Sequence, residues 1–227
     1  MKFLRLLLVP FALIAVIIVR LISPWVLIRF GESWAHRIGH LAGNNECYLC
    51  ERDDGMHSRK SGRPVVDIFF HRYGHANKYL EKMFTRCMNI ARTRFTALVS
   101  LVNKMFRGWQ QYTVESTQLD RDVHNLFEKY PPHLSFTKAE ELRGQRALRK
   151  LGIPDGAPWV CLIVRDGAYL PELGYHEHRD SDIMNYVPMA LELAKRGYYV
   201  IRMGAKVAQA MNVRHSHIID YATSGQR

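Results

Sequence analysis

Trp159-Val-Cys-Leu-Ile-Val164, Ser181-Asp-Ile-Met-Asn-Tyr-Val-Pro-Met-Ala-Leu-Glu-Leu-Ala-Lys195 and Tyr198-Tyr-Val-Ile-Arg202 follow one another along the chain. The first is an unbroken apolar run, the signature of a strand buried on both faces. The second reads as a helix that Ser181 or Asp182 caps and Gly197 closes. The third is a strand that ends at Met203-Gly204. Strand, helix, strand is a βαβ unit, which implies a parallel sheet and a right-handed crossover. His217-Ile-Ile-Asp220 starts a further strand. The fold class is therefore α/β.

Upstream, Thr137-Lys-Ala-Glu140 has capping-box spacing, and its helix stops near Leu151-Gly-Ile-Pro154. Trp25-Val-Leu-Ile-Arg-Phe30, closed by Gly31, and Val65-Val-Asp-Ile-Phe-Phe70 read as strands. Between them, Glu32 to Asn45 is a loop leading into a short helix, and Asp53 to Pro64 is a polar turn segment. Asn77 to Met83 starts another helix. From Phe84 to Trp109 the apolar positions recur every three or four residues, with Arg86, Arg92, Arg94, Lys104 and Arg107 alongside. That spacing predicts an amphipathic helix, which either packs on its own core or lies on a membrane.

Leu6 to Val19 is uninterrupted apolar sequence. A helix of that length rises about 21 Å against a hydrocarbon core of roughly 30 Å. Counted from Phe3 to Ile22, it reaches spanning length if Arg5 and Arg20 snorkel to the two interfaces. Lys2 and Arg5 resemble a signal-peptide n-region, but no small-residue cleavage site follows. The expectation is an uncleaved anchor, spanning or dipping into one leaflet, with the folded part on the cytoplasmic side.

The 227 residues are 48% hydrophobic and 23% charged, which excludes a mainly disordered chain. Four cysteines do not make a disulfide scaffold. The net charge of +11 is concentrated: residues 57–113 carry eleven Lys and Arg against two acidic groups. Such a surface suits anionic lipids, glycans or nucleic acid. No zinc finger, RNP motif or homeodomain arm is present, so nucleic acid is not the expected partner.

In an open α/β sheet, ligands bind beyond the carboxyl ends of the strands. That rule points to the loops after Phe30, Val164 and Arg202. Arg165, at a strand end facing a helix N-terminus, is suited to phosphate. Its alternative is an ion pair with Asp166, Asp180 or Asp182 that ties the loop. In the first loop, Gly39 and Gly43 permit close backbone approach, while His40 and Glu32 are the acid–base candidates. Cys47-Tyr-Leu-Cys50 has the spacing of half a zinc site or a redox pair with no second pair, and His36 and His40 could complete it only by chance of folding, so no metal is expected.

Five blocks occur together in order: Arg37-Ile-Gly-His-Leu-Ala-Gly-Asn44, Trp159-Val-Cys-Leu-Ile-Val-Arg-Asp166, His178-Arg-Asp-Ser-Asp-Ile-Met-Asn-Tyr186, Gly197-Tyr-Tyr-Val-Ile-Arg-Met-Gly204 and Ile219-Asp-Tyr-Ala-Thr-Ser-Gly225. Jointly they resemble a family of bacterial glycosyltransferases of surface-polysaccharide and lipopolysaccharide synthesis. The resemblance implies a GT-B fold: two Rossmann-like domains, with a nucleotide-sugar donor held mainly by the second. No cofactor is implied, the nucleotide sugar being a substrate. The Arg165 segment also resembles the His-x-Arg strand end of GT-B fucosyltransferases, with Ile163 in place of the histidine. By the resemblance Arg165, Arg179, Ser181, Asp182 and Asn185 bind donor phosphate, and the loop of Arg37, Gly39, Gly43 and Asn44 faces the acceptor.

The expected organisation is an anchor helix over residues 1–24, an acceptor-side domain over 25–150, and the start of a donor-side domain over 151–227. The family continues for a further half-domain, so the chain is expected to be a fragment, a truncated product or one part of a split enzyme. The expected activity is sugar transfer from a nucleotide sugar to a lipid-linked or polysaccharide acceptor. The competing reading is a non-enzymatic, membrane-anchored protein that binds anionic glycans or lipids.

Overall fold

The computed structural model describes residues 2–57, 62–91, 93–114, 121–169, 174 and 177–225. Arg92, one of the cations of the expected basic helix, lies outside them. The chain divides into two compact units, Met1–Phe136 and Thr137–Arg227. Each is built around a three-stranded parallel sheet, in keeping with the α/β Rossmann-like expectation. The division falls upstream of the 150/151 boundary read from the sequence. His133 and Ser135 are still bonded into the first unit, through Glu46 and Arg86, before the next helix is capped at Thr137.

The first unit runs α1 (Lys2–Ile22), β1 (Leu27–Glu32), α2 (Ile38–Asp53), β2 (Val65–Phe70), α3 (Lys78–Phe84), β3 (Ile90–Ala91), α4 (Arg94–Asn103) and the short α5 (Leu126–Lys129). The strands pair in the order β1-β2-β3, and Thr113 bridges to Phe30 on the free side of β1. Alternation along the strands splits the core. Phe69 packs with Leu41, Leu49 and Phe84 from α2 and α3, while Phe30 and Phe70 pack with Ala12, Val16, Val99 and Val102 from α1 and α4. Helices thus cover both faces of the sheet.

Two expectations are corrected here. The pattern over 84–109 is not one helix: Ile90 and Ala91 pair with Phe69 and Phe70 as β3, and only Arg94–Asn103 is α-helical. A ladder position on a parallel sheet satisfies backbone groups that helical periodicity alone assigned to a helix. α1, in turn, is a layer of the fold. Ala12 and Val16 are fully or almost fully buried against α4 and the sheet. Among the described residues, no helix is long and apolar enough to cross a membrane.

Nor does Arg20 snorkel. It donates to Asn103 Oδ1 at 2.9 Å and to the Arg107 carbonyl at 3.1 Å, and lies over the Phe106 and Tyr112 rings. Arg5, the other expected interfacial cation, is outside the described side chains. The face of α1 that points away from the core leaves Phe11, Ile14, Ile18 and Leu21 more than half exposed.

β1 also extends past Phe30 to include Gly31, which pairs with Phe69. A Cβ at Gly31 would sit 2.6 Å from the Phe69 ring and 3.2 Å from Val114 Cβ. Gly31→Ala is therefore expected to cost about 1–3 kcal/mol by overpacking, read as a lowered urea midpoint; an unchanged midpoint would mean the ring has room to move.

The second unit contains α6 (Lys138–Lys150), β4 (Trp159–Ile163), α7 (Val187–Lys195), β5 (Tyr199–Met203) and β6 (Ile218–Ile219), with strand order β4-β5-β6. Thr137 and Glu140 form the expected capping box. Asp182 accepts from the Met184 backbone N–H, but it caps a 3-10 turn over Ile183–Tyr186, and α7 follows with a proline in its first turn. Leu162, Val164, Val200 and Ile218 pack on Ala190 and Ala194 of α7. β4 is buried on that face alone: Ile163, on its other side, is 77% exposed. β4 lies at the edge of the sheet, where α7 covers only one side.

Candidate functional site

The first sheet reverses direction between β1 and Thr113: the chain steps outward from β1 to β3 and then returns to β1's open side. Crevices form at the carboxyl ends of strands beside such a reversal. Here the β1 end is pinned to the β2 end, because Ser33 N–H donates to the Phe70 carbonyl and Ala76 N–H donates to that of Ala35. The segments Ser33–His40 and His71–Asn77 therefore share one edge.

His71 stands immediately after β2. Its Nδ1 lies 3.2 Å from the Ser33 carbonyl, a pure acceptor, so this nitrogen carries a proton. Its Nε2 lies 3.3 Å from Glu81, whose other oxygen is 3.5 Å from His75 Nδ1. Glu81, in the first turn of α3, is only 5% exposed. A buried carboxylate thus lies between two imidazoles. Asn77 fixes the start of α3 by accepting from the Tyr79 and Leu80 N–H groups. Around Glu81 opens a cleft of about 530 Å³ whose lining includes Arg72, Tyr73, Lys78, Lys82 and Arg94. Cations from α3, α4 and the loop between β2 and α3 line it, so the cleft is chemically suited to a phosphate or carboxylate group.

The expected residues of the first loop lie along the same edge. Glu32 is a quarter exposed and paired with Arg72 at 2.8 Å. His40, in the first turn of α2, is half-buried with its ring edge-on to Trp34 at 5.6 Å. Trp34 neighbours His36, which meets Tyr73 at 5.5 Å, so exposed aromatic rings border the cleft. Arg37 is the N-cap residue of α2 and makes no side-chain cap bond. Gly39 is exposed, and a Cβ there would meet nothing within 4 Å, so packing does not require a glycine. Gly43 and Asn44 lie within α2, not in a loop; the buried Asn44 amide has no hydrogen-bond partner among the described residues. The helix begins sooner and runs longer than expected, through Cys47 and Cys50 to Asp53.

His71, His75 and Glu81 follow a strand end that the sequence reading does not single out, since it places the ligand loops after Phe30, Val164 and Arg202; their signal is His71-Arg-Tyr-Gly-His75, directly after a predicted strand.

In the second unit, Arg165 lies just beyond β4. Its Nε is 3.2 Å from Asp180, and its carbonyl accepts from Ser181 N–H. The loop-tying ion pair is therefore formed, yet the Arg165 side chain remains 47% exposed. Arg179 contacts His178 instead. Asp182 binds Met184 N–H and the Gln209 amide, and Asn185 lies in the turn that Asp182 caps. Asp166 accepts from Ala208 N–H, stitching the loops after β4 and β5 together. Arg202 itself is turned inward, away from solvent. It is 1% exposed and donates to the Gln209 carbonyl at 2.7 Å, with Asp220 at 3.3 Å.

No family model and no curated protein matches this chain. Among solved structures, the chain is similar to the E. coli ADP-heptose lps heptosyltransferase II, with 11% identity and a TM-score of 0.41 over 78% of this chain. The match spans 64% of that chain's length.

Proposed function

We propose that this protein is a GT-B-like glycosyltransferase that moves a sugar from a nucleotide-sugar donor to a lipid-linked or surface-polysaccharide acceptor. The observation that carries this reading is the cleft beside Glu81, where cations, imidazoles and exposed aromatic rings meet at the carboxyl edge of a parallel sheet. Sugar transfer needs these groups: rings to stack on a pyranose face, cations to hold an anionic acceptor, and a base to take the attacking hydroxyl's proton. His40 takes that last role, with Glu32 as its alternative, although Arg72 already occupies the Glu32 carboxylate. Arg165, with Arg179, Ser181, Asp182 and Asn185, receives the donor diphosphate, and its positive charge favours the leaving group. The exposed apolar side of α1, with Leu101 and Met105 of the α4 region, meets the membrane at its cytoplasmic face.

The test is transfer by the full chain, with and without anionic vesicles, from nucleoside-diphosphate sugars to a lipid-diphosphate saccharide. His40→Gln is expected to lower transfer about 100-fold with nucleotide affinity retained. Arg165→Ala is expected to weaken nucleoside-diphosphate binding about 10-fold or more. If Arg165→Ala leaves both binding and transfer unchanged, the phosphate role fails. The ring of cations also favours a second reading, a non-enzymatic binder of anionic glycans or lipids. That reading predicts salt-sensitive binding that Arg72→Ala weakens, with no transfer from any donor.

A further inference from the structure

A second cluster of chemistry-bearing groups lies away from the cleft, and the proposed transfer does not use it. Glu46 and Cys50 are four residues apart on α2 and so share one helix face. His133 reaches them from 83 residues further along the chain, counted from Cys50. Several bonds bring it there. α5 and the residue after it dock on the end of α2 through the Lys129–Asp54 ion pair and a Tyr130 hydroxyl bond to Asp54 at 2.9 Å. Pro131 and Pro132 then restrict the backbone. His133 itself is fixed at four atoms. Its backbone N–H donates to Glu46 Oε1 at 3.0 Å, its carbonyl accepts from Cys87 Sγ, Nδ1 is 2.9 Å from Glu46 Oε1, and Nε2 is 3.0 Å from Asp53 Oδ2.

A carboxylate oxygen of Glu46, the sulfur of Cys50 and a ring nitrogen of His133 all lie within 4.8 Å of one another. Ligand atoms around a tetrahedral zinc sit about 3.3–3.8 Å apart, given bonds of about 2.0 Å to N or O and 2.3 Å to S. Closing the cluster onto an ion therefore takes side-chain shifts on the order of an ångström. We propose that Glu46, Cys50 and His133 bind a divalent cation of the zinc class.

The ion binds His133 through Nδ1, in place of the proton now shared with Glu46. Nε2–H stays with Asp53, giving the carboxylate–imidazole–metal relay that holds a ligating ring in one tautomer. Binding releases the Cys50 thiol proton, and any proton on His133 Nδ1, to solvent. Asp53 Oδ2, 3.0 Å from His133 Nε2, adds a further carboxylate on the far side of that ring. The three ligands come from two segments far apart in sequence, so the ion would clamp the end of the first unit onto α2. The fourth position is left to water.

The probe is Co2+ added to the full-length protein after chelator treatment and under reducing conditions. The expected result is one equivalent bound, with a thiolate-to-cobalt charge-transfer band in the near ultraviolet that stoichiometric Zn2+ bleaches. Cys50→Ser is expected to abolish the band and weaken Zn2+ binding at least 100-fold, while Cys161→Ser in the second unit retains both. His133→Gln, which keeps a hydrogen-bonding side chain, is expected to behave like Cys50→Ser. Asp53→Asn is expected to weaken affinity about 10- to 100-fold with the band retained. Absence of the band would overturn the proposal, leaving the cluster as a Glu46–His133–Asp53 ion triad. A band that survives Cys50→Ser but is lost in Cys47→Ser would overturn this ligand set. The readout requires no sugar transfer, so its failure and that of the proposed activity are separable.

Discussion

Asp67→Ala is expected to destabilise the first unit by about 3–5 kcal/mol, the usual cost of removing one partner from a buried ion pair. Asp67 and Arg29 face each other in register on β2 and β1, joined by two bonds of 2.6 and 2.7 Å. Their side chains are 8% and 7% exposed. The Tyr48 hydroxyl also donates to Asp67 at 2.8 Å, and burial, with Asp67 beside it, pushes that phenol upward. The Ala variant thus leaves a guanidinium in the sheet without its carboxylate and a tyrosine without its acceptor.

The cost belongs to the broken pair and not to the loss of charge as such. Replacing both residues by apolar ones, Arg29→Met with Asp67→Val, is expected to return most of the stability, because neither charge is then stranded. Urea unfolding of the full chain checks both variants. A single variant with an unchanged midpoint would mean that water reaches Arg29 and replaces the carboxylate.

The second large effect is expected from Asp220→Ala in the second unit, again about 3–5 kcal/mol. Arg202 lies in the β5 ladder at 1% exposure, opposite Leu162 of β4. Its charge meets the Asp220 carboxylate, whose Oδ2 also accepts from Met211 N–H at 2.8 Å. Without that carboxylate, the guanidinium keeps the Gln209 carbonyl and loses its counter-charge, and Met211 N–H is orphaned. Asp220→Asn retains an acceptor and is expected to lose less. If the two variants unfold at the same midpoint, the carboxylate's charge contributes nothing and only its hydrogen bonding counts.

These two ion pairs mark a limit of sequence reading. Arg29 and Asp67 sit in runs that read as strands, and Arg202 closes another. The apolar neighbours specified the strands, but nothing local told which charged residue would turn inward or find a partner. Register decides that, since a shift of one position moves every side chain to the opposite face. α1 teaches the same lesson. Its composition is that of a membrane anchor, yet small residues at Ala12, Ala15 and Val16 let it pack against α4 and the sheet. Hydropathy counts apolar residues without saying whether lipid or protein covers them.

The span from Phe84 to Trp109 failed for a different reason. Helical spacing of apolar residues is also produced by a turn, a two-residue strand and a shorter helix that feed one core, and only the pairing of Ile90 and Ala91 with β2 separates the two cases. The capping box at Thr137 and the strand at 199–203 were legible because short-range chemistry sets both.

What the sequence determined by itself, then, is the α/β class, the strands with apolar runs and the caps, since each follows from backbone sterics and from side chains within a few residues. The tertiary structure alone decided that Glu81 lies between His71 and His75, that Arg165 pairs with Asp180, and that His133 joins Glu46 and Cys50. For His133 the partners are remote in the chain, for Arg165 three carboxylates compete and packing selects Asp180, and for Glu81 they arrive by way of a turn whose course the β1–β2 edge fixes. In each case closing the intervening chain costs entropy that only the packed core repays, so no local pattern encodes the meeting.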